Sequence, residues 1–185
     1  MAMEFPNEYT ITADFAVDPI DVTGQFGTIT NTGSFGLTLN MKDSNNLYMA
    51  QISMANLGDK KDIPEYRPHL CQNGQWSVVQ DREIQDIIKD DERFNVKHTM
   101  EVKVEPDGFT TTLDNQSLGK VEVPISEGNK IGFRNDANEK IKLYSLEVAD
   151  KEGKVLFKDT LQKDNTGNRM TQFGSINGGA KPSIK

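Results

Sequence analysis

The segment Tyr9-Thr10-Ile11-Thr12-Ala13-Asp14-Phe15-Ala16-Val17 decides the fold. Its odd-numbered positions are apolar and its even-numbered positions are polar or small. A period of two places one row of side chains on each face of an extended chain. This is the pattern of a half-buried antiparallel strand, apolar toward a core and polar toward water.

The same alternation recurs along the chain. Gln25 to Thr30 and Ser34 to Asn40 are read as strands on either side of the turn-forming Asn31-Thr32-Gly33. Leu47 to Met54, Tyr66 to Gln72 and Trp76 to Gln80 follow, the last two joined by Asn73-Gly74, a strong hairpin signal. Further strands are read at His98 to Val104, Phe109 to Leu113, Leu118 to Val123, Lys130 to Arg134, Lys140 to Val148 and Lys154 to Lys158. Ile84, Ile87 and Ile88 recur at helical spacing, so Glu83 to Asp91 is read as one short helix.

About a dozen short strands with regular turn signals predict an all-β fold: an antiparallel two-sheet β-sandwich of jelly-roll type with at most one short helix. The shortage of helical crossovers excludes a parallel α/β architecture. Alternation fails from Gln162 onward, where polar, glycine-rich sequence takes over. Residues 1–161 are therefore expected to form the domain, and 162–185 a linker or extended tail.

With 185 residues, 35% of them hydrophobic and 26% charged, the chain can build one core without disulfides. A net charge of −7 offers no basic face for phosphates, so nucleic acid is not an expected partner. Cys71 is the only cysteine, and His69 and His98 are the only histidines. This rules out an internal disulfide, a Cys-based zinc site and a three-histidine zinc site. No segment is apolar for long enough to span a membrane as a helix, and Met1-Ala2-Met3-Glu4-Phe5-Pro6 shows no signal-peptide pattern. Localisation stays open; a cell-surface or extracellular site is expected if the chain derives from a secreted enzyme.

The stretch Asp43-Ser44-Asn45-Asn46 stands immediately before the strand that opens at Leu47. Its short oxygen-bearing side chains, Asp43, Asn45 and Asn46, are the donor type that a hard cation such as Ca²⁺ takes, and sugar hydroxyls can complete such a coordination sphere. The same four residues are also an ordinary hairpin turn. Glu65, Arg67 and His69 fall on one face by period two, either as a sugar-contacting row or as a solvated edge. Trp76 and Tyr48 are either stacking platforms or core residues, since alternation alone leaves their direction open.

Three segments in series resemble one known family. Asn45-Asn46-Leu47-Tyr48-Met49-Ala50-Gln51 is similar to its Asp/Asn-Asn-x-Tyr-Met-Trp-Gln strand. Arg67-Pro68-His69-Leu70-Cys71-Gln72-Asn73-Gly74-Gln75-Trp76 is similar to its Arg-Pro-His-x-x-x-Asn-Gly-x-Trp hairpin. Lys130-Ile131-Gly132-Phe133-Arg134, then Glu139 and Gly153-Lys154-Val155-Leu156-Phe157-Lys158-Asp159, resembles its closing strands. The family is the concanavalin-like, β-jelly-roll carbohydrate-binding module of bacterial α-L-rhamnosidases, and the resemblance runs from about Tyr9 to Asp159.

The resemblance implies a non-catalytic module that binds a terminal L-rhamnose glycan through Ca²⁺ and accompanies a catalytic domain in a parent chain. It implies Asn45 and Asn46 as contacts to both ion and sugar, with Asp43 as the carboxylate, and Tyr48, Arg67, His69 and Trp76 as further carbohydrate contacts. Ala50 and Cys71 stand where the family has aromatic residues, and Asn45 replaces a charged ligand. Those departures favour the alternative, a structural accessory domain with no ligand of its own.

Glycosidase chemistry needs two carboxylates facing each other across a sugar. The candidates, Glu101 with Glu105 and Asp81 with Glu83, do not stand among aromatic residues, which are only 8% of the chain. Arg134 is read as the partner of Glu139, without a catalytic role. The expectation is a chain that is not itself an enzyme.

Overall fold

The computed structural model describes residues 5–24, 27–55, 63–124, 128–134 and 140–160. The strands are β1 (Tyr9–Asp18), β2 (Ile20–Gly24), β3 (Gly27–Thr32), β4 (Ser34–Asp43) and β5 (Asn46–Ser53). After them come β6 (Glu65–Tyr66), β7 (His69–Gln72), β8 (Gln75–Val78), β9 (Arg82–Glu83) and β10 (His98–Glu105). The last are β11 (Gly108–Leu113), β12 (Gln116–Glu122), β13 (Lys130–Arg134), β14 (Lys140–Asp150) and β15 (Val155–Asp159).

Two antiparallel sheets form the sandwich predicted from alternation. The first runs β12-β11-β10-β1-β14-β15; the second runs β13-β4-β5-β6-β9, with the β7–β8 hairpin also paired to β5. Tyr9, Ile11, Ala13, Phe15 and Val17 of β1 all point inward and are buried. Facing them from the second sheet are Phe35, Leu37, Leu39, Tyr48, Ala50, Ile52 and Tyr66. Phe15 and Phe35 stack between the layers with ring centroids 4.0 Å apart. Each such ring contributes about 1.5–3 kcal/mol by leaving water. Polar links cross the same interior: the Tyr66 hydroxyl lies 2.7 Å from Thr111 Oγ1, and the Tyr9 hydroxyl bonds the side chain of Asn40.

Two expectations are corrected. Glu83 to Asp91 is not a helix: Glu83 ends β9, one turn follows in which Ile87 and Ile88 N–H both donate to the Ile84 carbonyl, and a 3₁₀ turn spans Asp90–Glu92. The three isoleucines are buried in the main core, and a single turn is enough to set positions i, i+3 and i+4 on one side. Acidic Asp90, Asp91 and Glu92 close the segment where the helix dipole would favour cations. The strand read from Tyr66 to Gln72 is interrupted at Arg67-Pro68, because proline has no N–H for a ladder. Instead the Pro68 carbonyl accepts the Val79 N–H at 2.9 Å.

The Asn73-Gly74 hairpin is present, with φ of 51° and 78°, the left-handed pair that a tight two-residue turn requires. Gln25, Glu139 and the tail beyond 161 lie outside the described residues, as do the expectations placed on them.

Candidate functional site

The outward positions of the second sheet come together through strand register. In antiparallel pairs, directly opposed residues share a face. One row is Arg134–Gly36–Gln51, and the next is Gly132–Thr38–Met49–His69–Val78. Cys71 opposes Leu47 on one side and Trp76 on the other.

A local backbone feature extends this face. Asn40 adopts φ of 42°, and the β4–β5 register shifts between Leu39 and Asp43. Asparagine tolerates that left-handed conformation better than most residues. Its side chain turns inward to the Tyr9 hydroxyl, and its N–H donates to the same oxygen at 3.1 Å. Met41 therefore falls outside the main core. It joins Leu47, Met49 and Cys71 in a second buried apolar cluster, against which a half-buried Trp76 packs.

Polar groups surround the tryptophan. The Arg134 guanidinium lies 4.8 Å above the Trp76 ring, and His69 meets the ring at its edge, with centroids 6.2 Å apart. Arg67 Nε stands 3.5 Å from Asp81 and 3.9 Å from the buried Glu65. The pKa of His69 is held below the ordinary imidazole value, first by burial and then by the Arg134 and Arg67 cations; the Arg67 carbonyl and Asp81 oppose this. His69 is thus neutral at pH 7. Thr38 Oγ1, Gln51 Oε1 and His69 Nδ1 are buried, and none has a hydrogen-bond partner among the described residues. Buried polar atoms almost always have a partner, so three on one sheet face are a notable concentration.

The Asp43–Asn46 loop adjoins this face beside the β7–β8 turn. Asp43 Oδ1 accepts the Asn45 N–H at 2.8 Å and the Asn46 side-chain amide at 2.9 Å, which holds its carboxyl below the usual range. Asn46 Oδ1 accepts the Asn73 N–H at 3.1 Å, and the Asn45 carbonyl accepts the Gly74 N–H at 3.0 Å. These oxygens close the turn and bind it to the neighbouring hairpin. A calcium ion takes about six to eight oxygen ligands, usually several of them carboxylates. Here there is one carboxylate, with one oxygen engaged twice, and the Asn46 oxygen is directed at a backbone donor. The donor set fits a turn that satisfies itself, not a calcium site. Among the described residues no group of three or more His, Cys, Asp and Glu side chains gathers to hold a metal.

Of the residues singled out in the sequence, Arg67, His69 and Trp76 share the outer face, while Asp43, Asn45 and Asn46 form a rim at its end. Tyr48 is a correction: it is buried in the main core, packs on Phe109 with centroids 6.4 Å apart, and donates its hydroxyl to the Pro124 carbonyl. Even-numbered positions of β5 face inward, which removes it as a stacking platform. Thr38, Gln51 and Arg134 were not singled out as site residues. The usable signal was the odd-even split on β4, β5 and β13, but it needs the register between strands to become a site. Among the acids weighed for catalysis, Glu105 pairs with Lys103 at 2.8 Å on the other sheet, and Asp81 with Arg67.

No family model and no curated protein matches the sequence. Solved structures do resemble the fold. The carbohydrate-binding module CBM66 from Bacillus subtilis aligns with a TM-score of 0.55 at 16% identity, over 75% of this chain and 72% of that one. Sheep galectin-11 aligns at 0.49 and 9% identity, over 80% and 94% of the two chains. CG-16, a homodimeric agglutinin from chicken liver, aligns at 0.47 and 10% identity, over 76% and 95%.

Proposed function

We propose that this domain is a non-catalytic carbohydrate-binding module whose binding surface is the outer face of the second sheet around Trp76. The observation that carries this reading is a half-buried indole with the Arg134 guanidinium over its face and His69 at its edge. Sugar recognition combines an apolar surface for ring C–H groups with a few fixed polar atoms for hydroxyls. The likeness in fold to a carbohydrate-binding module adds support. Terminal L-rhamnose, implied by the sequence resemblance, is the first sugar to examine, with Asn45 and Asn46 as rim contacts. The module would serve a catalytic domain in a longer parent chain, with residues 162–185 as its connection.

A glycan array probed with and without chelator tests this reading. Retention of glycans by the wild type, lost in Trp76→Ala, supports it; loss on chelation alone would return calcium to the site. The second reading, an accessory domain without a ligand, is favoured by the Arg134 guanidinium over the indole, which gives the ring an internal partner. No retention of any glycan would select that reading.

A further inference from the structure

Resting on the reading of this face as a glycan site, we propose that Arg134 is a built-in competitor for the sugar. Its guanidinium occupies the face of Trp76 on which a pyranose ring would stack, and the site opens when that side chain swings aside. Arg134 and Trp76 come from opposite edges of the second sheet. Among the described residues β13 pairs with β4 alone and β8 with β7 alone, so β4, β5 and β7 lie between them. On a flat sheet, four steps of about 4.8 Å would hold the two strands roughly 19 Å apart. The guanidinium nevertheless reaches to 4.8 Å from the indole centroid. The sheet therefore curls toward its outer side, and the two side chains meet above its middle strands.

No open floor lies beneath this contact. Gly36 on β4 and Met49 on β5 are both buried. A methyl group on Gly36 would come 2.9 Å from Met49 Sδ and 3.6 Å from Arg134 Cβ. The methionine thus lies across the glycine, with the arginine stem beside both. What remains for a ligand is the half-buried indole itself. It packs on the cluster of Met41, Leu47, Met49 and Cys71, and it meets His69 at its edge with centroids 6.2 Å apart. The guanidinium holds the surface left over.

An indole face takes one such partner at a time, a cation or the C–H face of a sugar. A ligand that needs the ring binds only those molecules whose arginine has left it. Its apparent affinity is lowered by the fraction that is open. One cation–π contact sets a closing equilibrium of about two- to thirtyfold, which a ligand can overcome. The arginine is placed to move. It is the last residue of an edge strand whose five residues are all only half-buried, and the next outward position on β13 is Gly132, with no side chain to hold it.

Trp76 is the only tryptophan of the chain, so its fluorescence reports on this contact directly. Acrylamide should quench Arg134→Ala more strongly than wild type. Calorimetry with L-rhamnose and D-galactose, together with a glycan array, should show affinity raised about two- to thirtyfold in the same variant. Arg134→Lys, which keeps a cation for the ring, should return both values toward wild type. Arg134→Gln serves for the same two measurements if the alanine variant fails to fold. Retention of a glycan by these uncharged variants and not by wild type would be the strongest support. An arginine that only supports the fold would leave affinity unchanged or lower it when removed. Either result, or unaltered quenching, would overturn the competitor and leave the glycan reading standing. Retention of no glycan by wild type or any variant would overturn the glycan reading and the competitor with it.

Discussion

The two outer faces of the sandwich are built on the same alternation and could hardly differ more in what they carry. Outside the first sheet, Thr12 opposes Glu101 and Glu147, and Lys103 opposes Thr10 and Thr110. Its charges pair locally: Lys103 with Glu105 at 2.8 Å, Lys158 with Glu147 at 2.6 Å and Lys97 with Asp14 at 2.8 Å. Short hydroxyls and solvated ion pairs suit a surface that must only stay in water. Outside the second sheet lie Met41, Leu47, Met49, Cys71 and Trp76, ringed by Arg67, His69 and Arg134. Met41, Leu47, Met49 and Cys71 are buried there as a second small core, and of the five only Trp76 is partly exposed to water.

The largest expected effect tests whether the faces share one foundation. Phe35→Ala removes the ring stacked on Phe15 and should cost about 3–5 kcal/mol in denaturant unfolding. Both faces should be lost in one transition; a biphasic curve would show that the layers are independent. Next in size is Trp76→Ala, for which glycan retention should fall at least tenfold and the melting midpoint should drop by less than in Phe35→Ala, because the half-buried indole covers the second apolar cluster. Lys103→Ala, its counterpart on the first sheet, should alter neither measurement.

A smaller effect contrasts the two histidines. His98 is buried, with Nδ1 2.7 Å from Asp114 and Nε2 2.9 Å from the Glu92 carbonyl. Both partners accept, so only the protonated ring satisfies both. Burial opposes that charge, but the two partners outweigh it and raise the pKa. The stabilisation is complete below the unfolded imidazole value of about 6.5 and is lost as pH rises through the higher folded value. His69 titrates in the opposite sense: its lowered pKa means that acidification below the unfolded value costs stability. Melting curves should show His98→Gln losing the decline toward alkaline pH, and His69→Gln losing the decline toward acid. The smallest effect is at Lys158→Ala, which should leave the midpoint unchanged because its pair with Glu147 is exposed.

Much of the architecture was readable from residue order, for reasons that are local. Tyr9 to Val17 alternate because one face meets a core, and Asn73-Gly74 turn because both tolerate positive φ. The false helix at Glu83 to Asp91 arose from a spacing that one buried turn satisfies as well as three. The candidate site was only half legible. Arg67, His69 and Trp76 could be picked out from one hairpin, but Thr38, Gln51 and Arg134 joined them through pairings that span the chain. The Asp43–Asn46 oxygens looked like ligands in isolation; the Asn73 N–H that occupies one of them comes from the next hairpin.

The order of residues by itself determined that this chain forms strands, where they turn and which positions share a side, since pleating and turn chemistry act over neighbouring residues. Which side of each strand meets the other sheet, and which strands lie together, was decided only in three dimensions. Burial sends Tyr48 inward and leaves Met49 outward, and the register of β13 on β4 brings Arg134 beside Gly36. Those choices depend on contacts between segments distant in the chain, and a period of two is the same whichever face is buried.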